Sequence, residues 1–164
     1  NTRTDIQLST EQRSTINERI VDMFEKIFKQ FNKASTRLAL NTESLVINLS
    51  KEEYKHFLQQ YGNPLSIYNE VPLDEWGTRL MIRKTSDICQ TPEIYNVITT
   101  ISKQTMHQVS NDEVKDHEGF GVNIDINTIA ENTNARFTSS HIREFIISAV
   151  TWWDQIISEL DGLR

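Results

Sequence analysis

Apolar residues recur every three to four positions near both ends of this chain and every second position across much of its middle. The clearest helical stretch runs from Thr138 to Leu160. At about 100° per residue, Ile142, Phe145, Ile146, Ala149, Val150, Trp153, Ile156, Ile157 and Leu160 fall on one face. Arg143, Glu144, Ser148, Thr151, Asp154, Gln155 and Ser158 fall opposite. Thr138 or Ser139 can cap the first turn, and Gly162 is a natural stop. The apolar arc spans roughly 160°, wider than the ~100° stripe of an ordinary surface helix. Such a helix needs cover from two sides, and Trp153 is expected at the centre of the buried arc. Ile147 on the polar side and Trp152 at the boundary break the pattern and are candidates for a subunit contact.

A second long helix is predicted near the start. After a loose segment, 1–8, Ser9 and Gln12 form a capping-box signature, and Ile16, Ile20, Met23, Phe24, Ile27, Phe31 and Ala34 make one stripe, widened by Val21 and Phe28. Glu43 to Leu49 then alternates around Leu45, Ile47 and Leu49 and reads as a strand. Ser50 and Glu53 make another capping box, opening a short helix with Tyr54, Phe57, Leu58 and Tyr61 inward. Ser66–Tyr68 and Arg79–Arg83 read as strands, joined by a linker that carries Val71, Pro72, Leu73 and Trp76.

Thr91-Pro92-Glu93 has the form of a helix start, and Ile94, Val97, Ile98 and Ile101 hold helical spacing to about His107. The β-branched run Val97–Ile101 makes a strand the competing reading. Charged residues 111–119 read as a loop. Phe120, Val122, Ile124 and Ile126 alternate with polar residues, the pattern of a half-buried strand. The order α-β-α-β-β-α-β-α predicts an α+β fold: a small mixed four-stranded sheet with two long terminal helices and two shorter ones packed on it, in a single domain over 9–164.

Composition narrows the function classes. At 164 residues the chain is long enough for one substantial core. A net charge of −6 disfavours a nonspecific nucleic-acid or acidic-membrane binder, and no apolar run is long enough for a transmembrane helix. A single cysteine, Cys89, and no signal-peptide pattern point to the cytoplasm or a virion rather than classical secretion. Heavy use of Ile, Thr and Asn with few Gly and Pro has the flavour of an AT-rich genome, viral or phage among them.

Candidate chemistry is sparse. Gly119-Phe120-Gly121 lacks the rest of a phosphate loop, and Asn123, Asp125 and Asn127 imitate a calcium loop only in part. Asp112, Glu113, Asp116, His117 and Glu118 cluster in sequence without metal-ligand spacing, while His56, His107 and His141 stand singly. No catalytic, cofactor or metal residues are assigned. The sequence therefore points first to a non-enzymatic structural or protein–protein interaction protein, a viral or phage assembly component acting as an oligomer, with a protein partner or itself as partner. Val71, Leu73, Trp76, Ile147 and Trp152 are its candidate partner-binding residues. The alternatives are a small metal-dependent nuclease or hydrolase using acids of 111–125, and a nucleic-acid binder using Arg79 and Arg83.

Overall fold

The structure is a computed structural model that describes the backbone of residues 10–31, 34–47, 49–61, 74–110 and 113–161. Its elements run α1 (Thr10–Phe31), β1 (Ala39–Ile47), α2 (Lys51–Tyr61), β2 (Gly77–Ile88), β3 (Thr91–Ser110), β4 (Glu113–Thr128) and α3 (Ser139–Asp161). The four strands form one sheet in the order β1-β4-β3-β2. Every pairing is antiparallel, so the fold is α+β as its pattern predicts, but the sheet is not mixed. None of the described helices is long and apolar enough to cross a membrane.

The stretch from Thr91 to Ser110 is a strand, not the helix its first three residues suggest. β-branched side chains are stiff in a helix and pack well on a pleated surface, and here they outweigh a Thr-Pro-Glu start. Pro92 stands at the second residue of the strand, close enough to its beginning to be tolerated. The charged stretch after Ser110 is strand as well, since β4 begins at Glu113 and pairs with β3 from Ser110 onward. Ser9 and the Ser66–Tyr68 strand lie outside the described residues.

Register decides which side chains meet the helices. Phe120, Val122, Ile124 and Ile126 of β4 lie opposite Lys103, Ile101, Thr99 and Val97 of β3. The β4 four, with Tyr95, Val97 and Ile101, are buried under the helices. In β1 the apolar residues on this face are Leu40 and Val46, which pair with Ile126 and Phe120, whereas Leu45 pairs with Gly121 and is exposed. The alternation Leu45-Ile47-Leu49 thus reads the strand one residue out of phase, and a one-residue slip exchanges the two faces. The opposite face is mostly polar, though Leu45, Met81, Ile94 and Ile98 also lie on it: Asn123 donates to Asn41 at 3.0 Å, Asn96 to Asn127 at 3.1 Å, and Asn127 to Asp125 at 2.9 Å.

The helices divide the apolar face. α2 starts at its capping box, where the Ser50 N–H donates to Glu53 Oε2 at 2.7 Å and the Glu53 N–H donates to Ser50 Oγ at 3.1 Å. It lays Tyr54 and Phe57 on Phe120, with ring centroids 4.8 and 4.3 Å away. α3 packs against the sheet, stacking Phe145 on Tyr95 at 5.8 Å, and α1 packs against α3. The wide arc of α3 is therefore covered from two sides, by the sheet and by a second helix.

Arg136 ties the segment before α3 to the rest. Its Nε and Nη2 donate to the two oxygens of buried Glu93 at 2.6 and 3.0 Å. Nη1 reaches the carbonyls of Thr36, Asn132 and Asn134 at 2.7, 3.0 and 3.2 Å. An isolated bridge between Ser35 and Phe137 runs alongside.

Candidate interaction surfaces

Among the described residues, two apolar surfaces are left open by the core. The first lies on α1. Val21 is buried, with Ile20 and Phe28 packed on the core, yet Met23, Phe24, Ile27 and Phe31 are 50, 38, 41 and 60% exposed. These four fall at i, i+1, i+4 and i+8, one turn after another on one side of the helix. The pattern of α1 is broader than α3 can cover, because one neighbouring helix shields only part of a wide arc.

The second is a groove between β2 and the C-terminal half of α3. Its cavity is about 240 Å³, floored by Val97, Thr99 and Ile101 and walled by Leu80, Ile82, Trp152, Ile156 and Leu160. Tyr61, at the end of α2, closes one side. Burial pushes its phenol above the ordinary range, and Glu159 beside it acts in the same direction. Lys84 Nζ stands 5.8 Å from the centre of the Trp152 ring, which makes a T-shaped pair with Tyr95, centroids 4.8 Å apart. β2 is an outer strand, with no partner on its far edge among the described residues. At its middle Leu80, Met81 and Ile82 are 52, 46 and 53% exposed.

The turn that joins β2 to β3 is anchored from α3. Cys89 and Gln90 take φ values of 49° and 65°, a two-residue loop in a conformation that favours Asn and Gly. The Cys89 N–H donates to Glu144 Oε2, and its Sγ lies 3.5 Å from Oε1. Partial burial raises the Cys89 thiol pKa, and the Glu144 carboxylate raises it further, so this cysteine is held as a thiol.

The sequence-derived candidates separate in three dimensions. Trp76 is buried in the core, its ring 5.3 Å from Phe120. The ring reaches the sheet because the Trp76 carbonyl accepts from the Lys103 N–H at 3.1 Å, which draws the linker's end onto β3. Trp152 is half-buried and lines the groove, while Ile147 is 60% exposed on the far side of α3. Val71 and Leu73 lie outside the described residues. The α1 stripe was missed as a surface because its spacing is that of any core helix, and nothing in a sequence says how much of a stripe will find cover.

Arg79, Met81 and Arg83 share the polar face, with Arg83 2.7 Å from Glu131. Glu118 pairs with Lys103 at 3.5 Å, and Asp125 accepts from Asn127. The side chains of 111–117 lie outside the described residues, and among the described ones no three His, Cys, Asp or Glu side chains gather as a metal site would require. Comparison with protein-family models, with curated proteins and with solved structures gave no match.

Proposed function

We propose that this chain is a non-enzymatic interaction protein that works as an oligomer, with the exposed stripe of α1 buried against a second copy. The observation that carries the reading is the run of Met23, Phe24, Ile27 and Phe31 on the outer side of a helix whose other side is already packed. Full burial of a large apolar side chain contributes about 1.5–3 kcal/mol, so covering four that are roughly half-exposed is worth several kcal/mol. A monomer seldom leaves such a patch in water, and a two-fold axis lets one stripe cover its own copy.

Replacing Ile27 and Phe31 together by Glu tests the reading. Both are exposed, so the variant should keep its circular dichroism and melting cooperativity while its assembly falls to the monomer on size exclusion. An oligomer that survives the double substitution would place the contact elsewhere.

A further inference from the structure

We infer that β2 is a docking edge for an extended segment of another protein, added as a fifth strand, with apolar residues at two alternate positions flanked by acids. This goes beyond the self-association of α1: it concerns a different surface and a different partner, and either can fail alone.

β2 spans Gly77–Ile88 and is paired on one side only among the described residues, so its outer edge offers a row of N–H and C=O groups. Natural edges are usually blunted by shortness, proline, a bulge or inward charge. This one is 12 residues long, contains no proline and is apolar at its centre, its inward charge, Lys84, standing two residues past Ile82 and over the Trp152 ring. Backbone pairing there would supply affinity, and pockets for alternate side chains would supply selectivity.

Side chains then define the partner. Leu80 and Ile82 lie on the helix face, beside the groove that Trp152, Ile156 and Leu160 wall off. In an added antiparallel strand, the residues opposite Leu80 and Ile82 point the same way, over that groove, and should be apolar. Those opposite Arg79 and Arg83 project from the other face. Arg79 has no carboxylate partner among the described residues, and Arg83 holds only Glu131, in a pair whose side chains are 55 and 61% exposed. Exposed pairs of that kind contribute little, so a partner acid can join or displace Glu131. The matching segment is acid–apolar–any–apolar–acid, a pattern that reads the same in both directions. On a chain of net charge −6, this basic edge is a local reversal of sign.

Two other occupants fit less well. A second copy of β2, paired about Met81, would match Leu80 with Ile82 but set Arg79 opposite Arg83 twice, and like charges directly opposite are destabilising. Single-stranded nucleic acid would use the same cations, but it also needs an open aromatic platform for its bases. Trp76 is buried and Trp152 is half-buried beneath Lys84.

The test uses the full chain, isotope-labelled, and a capped peptide Thr-Glu-Val-Thr-Val-Glu-Thr, with Lys in place of both Glu as its control. The expected result is saturable amide shifts centred on Leu80–Ile82, with the indole N–H of Trp152 following, and affinity at least tenfold weaker for the Lys peptide. In Arg79→Glu/Arg83→Glu, two exposed positions at which the fold should survive, the preference should invert. N-methylating alternate peptide residues should abolish binding for one of the two sets. No binding at millimolar peptide, equal affinity for both peptides, shifts centred away from β2, or tighter binding of oligothymidylate at β2 would each overturn the proposal. Because the α1 contact is read from mass and this one from peptide shifts, failure of one leaves the other standing.

Discussion

Removing the Arg136 side chain tests the interactions that hold the segment before α3 in place. Glu93 is 7% exposed, so its carboxylate depends on the guanidinium fork that takes both its oxygens. Removing one member of a buried ion pair costs about 3–5 kcal/mol, because the other charge is left without compensation. Arg136 also supplies hydrogen bonds to three backbone carbonyls, two of them exposed, where water can take its place at small cost. Arg136→Met should therefore destabilise the chain by about 3–5 kcal/mol. Glu93→Gln keeps one acceptor oxygen, sets an N–H donor against the guanidinium in place of the other, and loses the charge, and should cost about 1–3 kcal/mol. The double variant Glu93→Met/Arg136→Met should cost less than the sum of its single changes, with a coupling of about 2–3 kcal/mol. Urea unfolding at one fixed protein concentration measures all of these, since self-association would otherwise shift the midpoints. A loss below about 1 kcal/mol for Arg136→Met would refute the reasoning and leave the segment held by the Ser35–Phe137 bridge.

Three further outcomes are expected. Converting the turn by Cys89→Asn and Gln90→Gly should stabilise by about 1 kcal/mol, since a non-glycine residue at positive φ costs ~1–2 kcal/mol and Gly returns part of that as unfolded-state entropy; a lower urea midpoint would contradict it. Burial raises the Tyr95 phenol well above its ordinary 10.0, with Glu93 and Glu144 adding to the effect and Ser148 opposing it. A raised pKa means its contribution is intact below pH 10.0 and is lost as pH climbs past it, because the unfolded phenol ionises first. From about pH 10 to about pH 11 the native chain should lose stability faster than Tyr95→Phe, and parallel losses over that range would count against this. Trp152→Ala and Trp153→Ala should cost comparable amounts, about 2–3 kcal/mol each, as both rings are only half-buried; melting shifts differing several-fold would restore Trp153 as the sole anchor.

The terminal helices, the Ser50 capping box and the β4 alternation were legible because each is fixed by local spacing. β3 was not, since Thr91-Pro92-Glu93 imitates a helix start and the turn before it carries Cys-Gln rather than Asn-Gly. Glu144, 55 residues away on α3, accepts from the Cys89 N–H and helps hold that turn. The phase of β1 was misread for a similar reason: partners on β4, not its own apolar count, select Leu40 and Val46 as inward. Among the candidate partner residues, Ile147 stands exposed where its helical position puts it, while Trp76 is drawn into the core by a backbone bond to Lys103 that no linker sequence reveals. The open half of the α1 stripe and the groove beside β2 depend on what the rest of the chain leaves uncovered, which is a property of the assembled surface.

The most direct test of the interaction reading is the mass of the unaltered chain in solution. Sedimentation velocity from ~1 to ~100 μM should give at least twice the 19.1 kDa of one chain, with the oligomer fraction rising with concentration. A mass of 19.1 kDa throughout that range would contradict the account, because the α1 stripe would then be stable in water without a second copy.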